Sequence, residues 1–276
     1  MILSIDIGGT KTLVARFTQD GKLVQRHKFP TSHDYASFTV DLIAGISKLW
    51  SDKVQTIVVA VPGRIDRESN VVVSFGNLPW KNVDIAKTLA KEFNTTVLID
   101  NDANLAGLAE AHTPYARNYR KVLYITISTG IGTGFVVNGA LSPLLANSEG
   151  GHIVFPHNGK QMDWEDFASG RAIKEQYGKF AYEITDPKTW EKIADDLSIG
   201  FQHLIAILQP DLLVIGGSIG THFDKFSKYL DDDLKSLAEN FSDSLYSLPE
   251  ISKAQHPQEA VVYGGYLLAE NSLKND

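Results

Sequence analysis

The chain has no cysteine among its 276 residues. That excludes disulfides and every thiolate zinc site, although metal binding by histidine and carboxylates remains possible. No apolar run approaches the ~20 residues that a bilayer-spanning helix needs. Basic charge is also short, with 26 Lys and Arg against 33 Asp and Glu, a net charge of −7. Nucleic-acid binding normally needs a basic face, so no nucleic-acid partner is expected. There is no G-x-x-x-x-G-K-[S/T] run, which rules out a P-loop. The opening residues read as a strand without a basic start or cleavage site, so no signal peptide is expected. A cytoplasmic protein with no membrane partner fits these absences.

What the chain does have is two short glycine turns about 120 residues apart, Asp6-Ile7-Gly8-Gly9-Thr10-Lys11 and Ser128-Thr129-Gly130-Ile131-Gly132-Thr133-Gly134. Each follows an apolar strand-like run, Ile2–Ile5 or Val122–Ile127, and runs into another, Leu13–Phe17 or Phe135–Val137. Taken alone, either turn reads equally well as a plain hairpin. A Rossmann turn must open a helix at its end, and Phe135-Val136-Val137 reads as a strand instead. Two such turns in equivalent places point to two related lobes whose glycine amides approach a phosphate across a cleft. Asp6 could then hold a magnesium ion, directly or through water.

The periodicity predicts strands over Ile2–Ile7, Thr12–Thr18 and Lys22–Phe29, with Asp20-Gly21 as a hairpin turn. Helix 34–50 follows, then strand 56–61, helix 83–93, strand 96–99 and a helix over 103–111. The second half predicts strands over 122–127, 134–137, 152–155 and 212–215. Its helices are expected at 164–177, 187–208, 222–239 and 258–271. A boundary near 113–118 divides the chain into 1–115 and 116–257, with helix 258–276 packing back on the first lobe. The fold class is α/β, a duplicated βββαβαβα core.

Three clusters carry polar chemistry. Asn101-Asp102-Ala103-Asn104 sits where a strand becomes a helix. Either side chain there could simply cap the helix; alternatively Asp102 accepts a hydroxyl proton while Asn101 binds a neighbouring hydroxyl. Ser148-Glu149-Gly150-Gly151-His152 is a loop, and Glu165 lies just inside the next helix, where it could serve only the helix dipole. Together Asn101, Asp102, Glu149, His152 and Glu165 supply the donors and acceptors that a polyol requires. The strand Leu212–Ile215 ends in Gly216-Gly217, which is either plain strand termination or a flat wall beside an adenosine.

In this order the motifs resemble the ROK family (repressors, open reading frames and sugar kinases), a branch of the two-lobed actin-like, ribonuclease H-like ATPases. The resemblance runs through Asp6–Lys11, Asn101–Asn104, Thr129–Gly134, Glu149–His152, Glu165, Ala168-Ser169-Gly170-Arg171-Ala172 and Ile215–Ser218 to the closing Glu259–Gly265. It implies ATP-dependent phosphorylation of a hexose, most simply glucose at its 6-hydroxyl, with Asp102 as general base. Asn101, Glu149, His152 and Glu165 would bind the sugar. Gly8, Gly9, Thr10, Lys11, Thr129, Gly130 and Gly132 would hold the phosphates, Gly216 and Gly217 would lie near the adenosine, and Asp6 near Mg2+. A homodimer is implied too. Other hexoses or N-acetylhexosamines such as N-acetylmannosamine, polyphosphate as donor, and a non-catalytic sugar sensor remain as alternatives. A repressor would need an added helix-turn-helix domain, which the start at Ile2 does not accommodate. Two features depart from the family. Many members carry a cysteine-rich zinc site between Glu-x-Gly-His and the later Glu; here 153–164 has no cysteine, so no structural zinc is expected. Protein contacts must then hold His152 and Glu165, with Phe155, Trp164 and Phe167 as the packing candidates. The loop 140–148 is also short and lacks the glycines expected there.

Overall fold

The computed structural model describes residues 1–239, 247–256 and 259–275. Pro257, Gln258 (the expected start of the last helix) and Asp276 lie outside them. The chain divides into two compact units, Met1–Ala109 with Gln258–Asp276, and Glu110–Pro257.

In the first unit, β1 (Ile2–Ile7), β2 (Lys11–Phe17) and β3 (Leu23–Pro30) form an antiparallel meander. Helix α1 (Tyr35–Ser47) follows, its first turn closed by the Asp34 carboxylate, which accepts the Ser37 N–H at 2.8 Å. Strand β4 (Thr56–Val61) then pairs in parallel with β1 and is buried throughout, which is why it reads as an unbroken apolar run. A second, three-stranded sheet comes next, β5 (Gly63–Asp66), β6 (Val71–Phe75) and β7 (Leu78–Val83), which the periodicity did not reveal. It ends in Val83, so the following helix α2 (Ile85–Phe93) starts two residues later than expected, with Asp84 as its cap. Strand β8 (Thr96–Asn101) pairs in parallel with β4 and runs straight into α3 (Asp102–Ala111). The main sheet order is β3-β2-β1-β4-β8.

The second unit repeats that order. Strands β9 (Lys121–Ile127), β10 (Ile131–Val137) and β11 (Ala140–Leu141) are antiparallel, and β14 (Leu212–Gly216) and β15 (Glu250–Lys253) continue the sheet in parallel as β11-β10-β9-β14-β15. Between the two halves of this sheet lies a hairpin of β12 (Val154–His157) and β13 (Lys160–Asp163), then α4 (Trp164–Ala168), α5 (Gly170–Tyr177) and the long α6 (Pro187–Leu208). The expected helix 164–177 is therefore two helices. Ser169 is extended between them: its hydroxyl accepts the Ala172 N–H, while the Gly170 N–H goes to the Ser128 carbonyl at 2.7 Å. His152 is likewise not in a strand but ends a single 3-10 turn, Gly150–His152. After β14 come a short α7 (Gly217–Gly220) and α8 (Phe223–Ala238).

The final helix α9 (Ala260–Asn275) packs on β1 and β4 of the first unit, with Gly264 against the Leu105 backbone and Gly265 against Ser4. Glu110 anchors the second unit at its start. The carboxylate is buried and accepts the N–H groups of Gln255 and His256 at 2.8 and 2.7 Å. No helix among the described residues is long and apolar enough to cross a membrane.

Candidate active site

In the first unit the polar groups gather at the carboxyl ends of the parallel strands, where open α/β sheets place their ligands. Asp6 on β1 is opposite Ala60 on β4, which is opposite Asp100 on β8. Two strand spacings, roughly 10 Å, therefore separate Asp6 from Asp100. The turn Gly8-Gly9-Thr10 lies outside the ladder, which closes at Ile7 and Thr12, and the Gly8 N–H is bound to the Lys11 carbonyl at 3.1 Å. Lys11 is already the first residue of β2. Loss of hydration pushes the Asp6 carboxyl up to about 6, with Lys28 pulling the other way.

At the end of β8 both readings of the Asn-Asp pair apply. The Asn101 side-chain oxygen accepts the Ala103 N–H at 2.8 Å and so caps α3, while its amide donates to the Gly63 carbonyl at 3.1 Å. Asp102 Oδ1 also accepts from the Ala103 N–H, at 2.8 Å, which fixes the carboxylate against the helix start. Sequence reasoning missed the group beneath them. Asp100 is buried, takes both guanidinium nitrogens of Arg67 at 2.9 and 3.0 Å, and accepts from the Asn104 amide at 2.9 Å and the Asn101 N–H at 2.7 Å. A bidentate guanidinium–carboxylate pair fixes geometry as well as charge. The available signal was a third carboxylate directly before Asn101-Asp102.

In the second unit the glycine turn is shorter than expected. Strand β10 starts at Ile131, so Gly132 is in the ladder opposite Thr126, and only Ser128-Thr129-Gly130 form the turn. Glu165 Oε2 accepts the Ile131 N–H at 3.1 Å. Gly130 makes this approach feasible, since a Cβ there would stand 2.5 Å from that oxygen. The Arg171 guanidinium lies 3.5 Å from the other Glu165 oxygen and 3.0 Å from Asp166. The Glu149 loop is tied to β10 through Thr133, whose hydroxyl accepts the Gly150 N–H at 3.2 Å. His152 Nδ1 lies 2.8 Å from Asp163 Oδ2. That hydrogen bond, opposed by burial and aided by the charges of Glu165, Asp163 and Glu149, raises the imidazole above the usual histidine value. Beneath these groups Phe155, Trp164 and Phe167 are all buried, and the Trp164 ring lies edge-on to Phe201 at 5.3 Å. The second unit thus brings Glu149, His152 and Glu165 into one electrostatic neighbourhood.

Gly216-Gly217 proves to be a close crossing. Gly217 has φ +78°, and a Cβ on it would strike the Ile127 backbone, while one on Gly216 would strike the Tyr124 ring. Beyond it the Ser218 N–H donates to the Ser128 hydroxyl at 3.1 Å. Here lies a cavity of about 390 Å3 lined by Ser128, Thr129, Gly170, Ser218, His222 and the exposed Phe180, among others. Phe180 stacks on Tyr182 at 5.5 Å and carries the Lys174 ammonium 4.1 Å above its ring. That volume suits a small-molecule ligand.

The class is set by the repeated sheet and its glycine turns: an α/β protein of the actin-like ATPase fold. The ROK family profile matches residues 2–272; the chain belongs to the ROK family, and its enzyme class is that of the ATP-dependent sugar kinases. A fructokinase of Zymomonas mobilis is 27% identical, covering 78% of each chain. A glucokinase of Thermotoga maritima is 27% identical over 79% of this chain and 82% of its own. In fold, the chain resembles a ROK family glucokinase from Streptomyces griseus solved with glucose and AMPPNP, with a TM-score of 0.78, 19% identity and 97% and 98% coverage.

Proposed function

We propose that the chain transfers the γ-phosphoryl group of ATP to a hexose hydroxyl, most simply the 6-hydroxyl of glucose, with Asp102 as general base. The observation that carries this is the end of β8. One carboxylate, Asp100, is saturated by Arg67, Asn104 and the Asn101 N–H, while the next, Asp102, is held by the Ala103 N–H at the first turn of a helix. Phosphoryl transfer through a loose transition state needs positioning and charge neutralisation more than covalent chemistry. In this reading the proton of the attacking hydroxyl moves to Asp102 as the bond to phosphorus forms. Asn101, Glu149, His152 and Glu165 bind the remaining hydroxyls, and the two glycine turns hold the phosphates. The nucleoside occupies the cavity beside Ser218, with its base against Phe180.

Asp6 fits a magnesium ion. It is a hard oxygen donor, partly buried at the end of β1, and magnesium bound to nucleotide phosphates needs only one or two protein carboxylates. No group of three ligating side chains is present among the described residues, so no all-protein cage is implied. When bound, the ion would neutralise charge on the phosphate oxygens.

The test is ADP release from MgATP across a panel of hexoses and N-acetylhexosamines, with Asp102→Asn as control. Turnover on one sugar that the variant abolishes supports the kinase and names its acceptor. Sugar binding without turnover on any member would favour the sensor.

A further inference from the structure

We propose that Asp163 is the positioning residue of the sugar site: it grips His152 through Nδ1 and so fixes the direction in which Nε2 meets the sugar. The inference rests on the reading that His152 binds sugar.

Asp163 stands at the N-cap of α4, where an aspartate ordinarily accepts a helix N–H. Among the described residues three other aspartates show that habit. Asp34, Asp84 and Asp186 cap α1, α2 and α6 with bonds of 2.8, 3.0 and 3.1 Å. Asp163 makes no such bond, although its backbone is extended at φ −64°, ψ 146° as a cap requires. Its carboxylate is given to His152 instead, at 2.8 Å. The helix forgoes its cap and the histidine gains a partner.

The backbone is arranged for this pairing. Asn158-Gly159, with φ of 48° and 75°, makes the tight turn that folds β12 onto β13. Val154 is then opposite Asp163, and the Trp164 N–H closes the hairpin on the Ile153 carbonyl at 2.9 Å. Trp164 is fully buried and serves as the foot of the hairpin. His152 is anchored from its own side by its N–H to the Glu149 carbonyl at 3.0 Å.

The alternative is an ordinary surface ion pair. The His152 and Asp163 side chains are 57% and 35% exposed, so the pair adds little to stability. Orientation is what it can supply. With Nδ1–H held by a carboxylate, the ring plane is fixed and Nε2 is the nitrogen left for a ligand. Asp163, Glu149 and Glu165 all favour the imidazolium, whose Nε2–H donates to a hydroxyl oxygen.

The test uses the full chain and three variants: Asp163→Asn, Asp163→Ser (which retains a residue able to cap α4) and His152→Ala. Sugar KM, ATP KM, kcat, melting temperature and the ring-proton NMR titration of His152 are measured in each where it applies. Expected for both Asp163 variants is a rise of sugar KM by ~3–10-fold, as for a charge-assisted hydrogen bond at a half-exposed site. ATP KM and kcat should stay within about twofold, melting temperature within ~2 °C, and His152 should titrate at lower pH than in the unaltered protein. His152→Ala should raise sugar KM by ~10-fold or more. If His152→Ala raises sugar KM but neither Asp163 variant moves it or the ring titration, the proposal falls and the sugar reading stands. If His152→Ala leaves sugar KM unchanged, the sugar reading falls and takes the proposal with it.

Discussion

Both five-stranded sheets run in the same order, three antiparallel strands continued by two parallel ones, yet the two units hang different chemistry on that frame. The first unit presents its polar groups on the sheet itself. Asp6, Asp100 and Asn101 are strand residues, and Asp102 is the first residue of the helix that follows. The second unit presents its groups on what is inserted between β11 and α6: Glu149 before a 3-10 turn, His152 at its end, and Glu165 on a five-residue helix. A strand end is fixed by ladders of backbone hydrogen bonds and, under the function proposed above, is a suitable place for the proton acceptor. An inserted hairpin can change in length without disturbing the ladder, which, under the function proposed above, suits groups that hold the sugar.

Four experiments bear on this contrast. The largest effect is expected from Asp102→Asn, with kcat reduced at least ~10²-fold, the usual contribution of a general base. Steady-state ADP release measures it. Next is Arg67→Ala, which strands the buried Asp100 carboxylate. Removing one member of a buried pair is costly, and with Arg67 one-third exposed the loss is roughly 2–4 kcal/mol of unit-one stability. Adding Asp100→Asn should restore much of it, which urea unfolding of the single and double variants would show.

Gly130→Ala probes the second unit. The added methyl would press on Glu165 Oε2, whose side chain can yield, so the fold survives while sugar KM rises ~10-fold. An unchanged KM would detach Glu165 from the sugar. The smallest effect concerns pH. Burial, with Asp195, Asp232 and Glu191 nearby, pushes the Asp233 carboxyl from its ordinary 3.8 up to about 6. A carboxyl raised on folding binds its proton more tightly in the native state. Its cost to stability therefore grows as pH rises from about 4 to about 6 and persists above that. Asp233→Asn should raise the melting temperature by ~2–4 °C at about pH 7.5 and by less near pH 5, read by calorimetry.

Much of the frame was legible because its signals are local. The apolar runs 2–7, 56–61 and 122–127 and the helix expected over 34–50 each depend on neighbours within a turn or a strand. What escaped depends on pairing at a distance. The β5–β7 sheet is built from short strands of mixed polarity around the charged stretch 66–70, so its period is broken. Helix 164–177 keeps helical spacing across Ser169-Gly170; the break follows from the Ser128 carbonyl about 40 residues away. The Asp100–Arg67 pair joins residues 33 apart. The His152–Asp163 contact depends on a hairpin whose only local mark is Asn158-Gly159.

In the proposed reaction Asp102 moves the proton and other residues hold the sugar. Calorimetric titration of the preferred sugar into Asp102→Asn separates the two roles. The expected result is a dissociation constant within a few-fold of the unaltered protein's, alongside a kcat at least ~10²-fold lower. Binding and turnover lost together, or turnover kept, would contradict it.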